Sequence, residues 1–227
     1  MTESEELFFR FGKSQGWRVE RIDEHSVAQG SKVPDFVVGL GDGSGIVVEV
    51  KQFDPNPGER EAAQGRGSGV LGGKPGQRLR EVIPKANNQL KALGPSDPGM
   101  LVVYNRTPCT LHDGHYAVLT AMRGLDVIEY YVPTDQGSPI PIRERPGPGK
   151  KLTPKMNTSV SCIAVLRDLF DGVPVPFGLG GPDPEHDLAV YHNPFAKHPL
   201  DPSLLVSSHV THYRMKDDQS SWEPHPL

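Results

Sequence analysis

Residues 34–51 read PDFVVGLGDGSGIVVEVK. Two runs rich in β-branched and aromatic residues, 33–38 and 46–50, flank a glycine-rich segment at 39–45 whose residues tolerate positive φ and form turns. That pattern predicts a β-hairpin. Alternation along the second strand puts Val47, Glu49 and Lys51 on one face and Ile46, Val48 and Val50 on the other. With the turn centred near Asp42, Asp35 stands opposite Glu49, seven residues to either side. Side chains so opposed have Cβ atoms roughly 5 Å apart, where like charges repel, and a one-residue slip would undo the pairing. Two carboxylates in so apolar a hairpin need a compensating charge. Their oxygens, the backbone carbonyl of the intervening Val50 and waters suit Mg²⁺ or Mn²⁺. Lys51, on the face of Glu49, can balance charge at a reacting phosphate.

These residues, Pro34-Asp35 followed by Glu49-Val50-Lys51 at hairpin separation, resemble the PD-(D/E)XK nuclease superfamily with its restriction-endonuclease-like fold. The resemblance implies that Asp35 and Glu49 hold the metal and that Lys51 assists the attacking water. It also implies a helix ahead of the hairpin that brings a further carboxylate. Residues 2–15 fit that helix: Thr2 or Ser4 can cap it, its first turn is acidic, Leu7, Phe8 and Phe11 form a helical stripe, and Gly16-Trp17 follows. Glu5 lies near the buried face and Glu6 points further out, so Glu5 is the expected third carboxylate. The family also places a Lys or Gln on the helix after the hairpin, and Gln89 is the candidate here.

The remaining elements follow from pattern. Residues 17–25 read as a strand. Residues 54–77 are dominated by Gly and Pro and read as a long loop carrying Arg60, Arg66 and Lys74, either a flap over the site or a solvated linker. A helix is expected over 83–93, with Pro84 in its first turn and Ala86, Leu90 and Leu93 inward. Residues 100–104, MLVVY, read as a buried central strand, 116–122 as a helix, and 127–132, 160–166 and 188–191 as strands. Helix, strand, hairpin, helix, strand over residues 3–105 is the order of the nuclease core. The expected architecture is α/β: an αβββαβ core with a mixed central sheet flanked by helices over 1–132, and a loop-rich C-terminal extension over 133–227 packed on it.

Composition narrows the function. The net charge of −4 excludes a strongly basic nucleic-acid coat but leaves room for a local basic groove, such as the stretch with Arg143, Arg145, Lys150, Lys151 and Lys155. Two cysteines, Cys109 and Cys162, make no disulfide framework and suit a reducing cytoplasm. No apolar run approaches the ~20 residues of a membrane helix. Cys109, His112 and His115 recur every third residue and His209 and His212 repeat that spacing, a pattern open to zinc but lacking a partner CxxC. No phosphate-binding loop, GxSxG or dinucleotide fingerprint is present. The expected function is that of a metal-dependent nuclease hydrolysing phosphodiester bonds, an endonuclease acting on DNA rather than RNA, with a homodimer admitted. The alternative is a catalytically silent nuclease-like module that only binds nucleic acid.

Overall fold

A computed structural model of the chain describes residues 1–23, 32–39, 45–63, 73–93, 96–107, 110–130, 142–176, 179, 181 and 184–225. The first helix, α1 (Glu3–Ser14), begins with a capping box: the Thr2 hydroxyl accepts from the Glu5 N–H and the Glu5 carboxylate accepts from the Thr2 N–H. Its stripe of Leu7, Phe8 and Phe11 is buried. Gly12 lets the following strand come close, because a Cβ there would stand 2.6 Å from Val19 Cγ2. Trp17 then packs edge-on against Phe11, and the chain enters β1 (Arg18–Arg21), β2 (Phe36–Gly39) and β3 (Gly45–Phe53). These three strands form an antiparallel meander.

A short helix, α2 (Pro57–Ala63), breaks the stretch read as loop. Asn56 and Glu59 cap it reciprocally, each side chain accepting the other's N–H, and that local exchange outweighs the glycine-rich context. Arg66 lies outside the described residues.

The next helix, α3 (Gln77–Lys91), starts six residues earlier than the sequence suggests, so Pro84 sits inside it rather than in its first turn. Proline costs an interior helix one hydrogen bond. Burial of Leu79, Ile83, Ala86 and Leu90 on one face offsets that loss. Gly76 starts the helix at φ +66°, and a Cβ there would lie 2.1 Å from the Ala117 carbonyl oxygen on α4 (His115–Arg123).

The chain then passes through β4 (Gly99–Asn105), buried along its whole length, and α4. A small separate hairpin follows, β5 (Asp126–Tyr130) with β6 (Ile142–Pro146). Later strands are β7 (Cys162–Phe170), β8 (Val173–Val175), β9 (Glu185–His192), β10 (Val210–Met215) and β11 (Trp222–Pro224).

Among the described residues the main sheet has nine strands in the order β1-β2-β3-β4-β7-β9-β10-β11, with β8 on β7. It is mixed: β3, β4 and β7 run parallel, while β7 and β9 are antiparallel. The strands after residue 160 therefore continue the sheet begun by the hairpin. One face is covered by α1 and a 3₁₀ turn at Pro202–Leu205, with Phe8, Phe36, Val48, Val50 and Leu205 among its core residues. The other is covered by α3 and α4, with Val47, Phe53, Ile83, Leu90, Leu101 and Met122. Among the described residues no helix is long and apolar enough to cross a membrane.

Candidate active site

The hairpin register brings the two motif halves together. Phe36 faces Val48, Val37 faces Val47 and Val38 faces Ile46. The Asp35 N–H donates to the Val48 carbonyl at 3.0 Å, so one step beyond the ladder Asp35 stands across from Glu49. Its own carbonyl accepts from the Ile22 N–H at 3.0 Å, which fixes the backbone from both sides. Here β2 has not yet begun, and among the described residues no strand pairs with β3 on this side beyond Val48. The Asp35 carboxylate fills that gap by accepting from the Val50 N–H at 2.7 Å. The N–H and C=O of one strand residue project to the same side, so the Val50 carbonyl is turned toward Asp35 as well.

Glu49 is fully buried. One of its carboxylate oxygens pairs with the Lys51 ammonium, its neighbour on the same strand face. The other, Oε2, is buried and has no partner at hydrogen-bond distance, although the Gln89 amide stands near enough to favour the ionised carboxylate. Burial, and then the charge of Asp35, push the Glu49 carboxyl up to about 7, while Lys51 and the Gln89 amide pull the other way. Asp35 is also raised, first by burial; the Val50 N–H lowers it, Glu5 raises it, and Lys51 and Arg21 lower it.

The other two expected residues reach the site from opposite faces of the sheet. Gln89 comes from α3, the layer that Glu49 and Lys51 face, and its amide donates to the Val33 carbonyl at 3.3 Å. Glu5 comes from α1, where it serves in the capping box and its charge still bears on Asp35. Beside it the Ser4 N–H donates to Gln52 Oε1 at 3.1 Å, tying the helix start to the end of β3. Asp35, Glu49 and Lys51 thus lie together on the β2–β3 hairpin with Gln89 beside them, while Glu5, bonded in its helix cap, bears on Asp35 only through its charge.

Sequence reasoning missed Gln52 and Arg21. Strand alternation could have found Gln52, which shares the α1 face with Val48 and Val50.

An orphaned buried carboxylate oxygen, a second carboxylate across the ladder and a carbonyl on the same side are all oxygen donors, the chemistry that Mg²⁺ or Mn²⁺ takes. Protein carboxylates are few here: among the described residues no three His, Cys, Asp or Glu side chains group into a ready metal cage. Mg²⁺ is commonly held by one or two carboxylates, with water and substrate phosphate completing its shell.

The zinc pattern does not assemble among the described residues, and Cys109 lies outside them. His112 shares a hydrogen bond with Glu59 Oε1 at 2.9 Å, His115 with the Tyr191 hydroxyl at 3.1 Å, and His212 with His192 at 2.8 Å. Each therefore has a local partner in a different part of the fold. Glu59 also pairs with Arg78, which locks α2 onto the start of α3. No family model, curated protein or solved structure matches this chain.

Proposed function

We propose that the chain is a metal-dependent nuclease of the PD-(D/E)XK type that hydrolyses phosphodiester bonds within DNA. The observation that carries this reading is Glu49 Oε2, a buried carboxylate oxygen without a hydrogen bond, placed across the ladder from Asp35. A buried acceptor without a partner costs about 1–3 kcal/mol, a cost that a bound cation would offset. The order α1, β1, β2, β3, α2, α3, β4 supports the restriction-endonuclease-like core if the short α2 is an insertion into it.

In this reading Asp35, Glu49 and the Val50 carbonyl would hold Mg²⁺ or Mn²⁺. The ion, when bound, supplies a Lewis acid for a phosphoryl oxygen and lowers the pKa of its water. The Val50 N–H holds the Asp35 carboxylate in place, so its aim is fixed by backbone. Lys51, partly exposed beside Glu49, places a positive charge where the phosphorane-like transition state gains negative charge. The Gln89 amide helps to steady the ionised form of Glu49, and Glu5 adds negative charge near Asp35. The buried free thiol of Cys162 suits a reducing, cytoplasmic setting.

The test is cleavage of supercoiled plasmid, linear duplex, single-stranded DNA and RNA with Mg²⁺ or Mn²⁺, by wild-type and Asp35→Ala protein. Metal-dependent strand breaks by wild type alone support the reading. Protein that binds these substrates in Ca²⁺ yet cuts none would instead be a binding module.

A further inference from the structure

Beside the candidate site an open cleft of about 570 Å³ is lined by Lys32, Lys51, Lys85, Asn88, Gln89 and Lys91. Four ammonium groups border one cavity in a protein whose net charge is −4, so the concentration of positive charge is local and is not a by-product of composition. Only Lys51 has a carboxylate partner: among the described residues no ion pair joins Lys32, Lys85 or Lys91 to an acid. The nearest acid along the helix, Glu81, is one turn before Lys85 and accepts instead from the Gln77 amide at 3.2 Å. Uncompensated like charges around a concave surface repel one another and focus a positive field outward.

The spacing on α3 suits an extended ligand. Lys85, Asn88 with Gln89, and Ala92 follow at helical intervals along one face. Six residues from Lys85 to Lys91 rise about 9 Å along the helix, enough to reach more than one anionic group of a chain. Lys32, next to Val33 whose carbonyl accepts from the Gln89 amide, lines the same cleft from a separate segment of the chain. The Asn88 amide interleaves with the lysines, and amides and ammoniums together are the donors that hold phosphate oxygens.

We propose that this cleft seats the phosphate backbone of a nucleic-acid strand, with Lys32, Lys85 and Lys91 as contacts that hold the strand while Lys51 faces its scissile phosphate. The binding surface follows from charge and shape alone; its link to the cut strand rests on the nuclease reading above. Contacts of this kind set affinity and position without reading bases.

The test uses Glu49→Gln protein, in which cutting is blocked, and a short fluorescein-labelled DNA followed by anisotropy across a sodium chloride series. Lys85 and Lys91 are exposed, so their replacement leaves the core intact. Adding Lys85→Ala and Lys91→Ala is expected to weaken binding and to reduce the slope of log Kd against log salt by about two, one for each lysine. Adding Lys85→Arg and Lys91→Arg instead should restore the slope, and Lys155→Ala, away from the cleft, should not move it. An unchanged slope and affinity in the double alanine variant, or no binding by the Glu49→Gln parent, overturns the proposal. A reduced slope in a protein whose wild type cuts nothing keeps the cleft and removes the nuclease. An unchanged slope in a protein whose wild type cuts removes the cleft alone.

Discussion

The Asp35 carboxylate accepts a 2.7 Å hydrogen bond from the backbone N–H of Val50, the residue between Glu49 and Lys51. This bond makes the two halves of the motif one unit, because the first carboxylate is aimed by the strand that carries the second. It also continues the β2–β3 ladder one step after strand pairing stops, with side chain replacing backbone. The site is therefore held by the same register that buries Phe36, Val38, Ile46 and Val48.

Glu49 should cost the folded protein stability once it ionises without a cation. Its carboxyl is moved from the ordinary 4.5 up to about 7, so over that interval the folded form keeps a proton that the unfolded form has lost. Stability therefore falls as pH rises through this window, and the full penalty applies above it. A displacement of that size corresponds to at most about 3–4 kcal/mol. Glu49→Gln protein in chelator should unfold at higher denaturant than wild type at about pH 8 and show little difference at about pH 4. A variant less stable than wild type at the higher pH would contradict the buried, unsatisfied carboxylate.

Metal should reverse that penalty. An ion that binds only the folded form stabilises it by about 2.7 kcal/mol at a hundred times its Kd, and each kcal/mol moves Tm by roughly 2–4 °C in a chain of this size. Mg²⁺ or Mn²⁺ should raise the Tm of wild type by several degrees and leave Asp35→Ala unmoved. Equal shifts in the two proteins, read by differential scanning calorimetry, would place the ion elsewhere.

The seat of α3 can be probed through Gly76, with Gly58 in α2 as a control. Gly76→Ala would put a Cβ 2.1 Å from the Ala117 carbonyl oxygen at φ +66°, a conformation L residues rarely adopt. A loss of about 1–3 kcal/mol or more is expected in urea unfolding. Gly58→Ala, in α2 with only Asn56 Oδ1 nearby at 3.5 Å, should be neutral or stabilising by up to about 1 kcal/mol. Comparable losses at both positions would mean that the close packing of Gly76 on α4 is not what fixes the helix start.

The hairpin was legible in the sequence because two aliphatic runs flank a glycine-rich turn, and the register found, centred near Asp42, is the one that sets Asp35 opposite Glu49. The stripe of α1 and the buried run of β4 were legible for the same reason: period and hydrophobicity agree. The start of α3 was not. Leu79 and Ile83 do stand four apart, but Pro84 and the glycines before Gln77 hide them, and burial against β3 and α4 decides the matter. In β10, VTHYRM buries only Val210 and His212 and leaves the rest partly or fully exposed, so no apolar run marks it. The cleft was the least visible feature. Lys32 and Lys91 lie far apart in the chain, and only the crossover through α3 brings them to one rim.

The most direct test of the central claim is the cleavage rate of Lys51→Ala protein under single-turnover conditions with Mg²⁺, measured beside its binding of the same DNA in Ca²⁺. Lys51 acts mainly on the transition state in this account, so its loss should lower the rate by roughly a hundredfold or more and change binding little, with slope reduced by about one at most. Lys51→Ala protein that cuts at the wild-type rate would contradict the account.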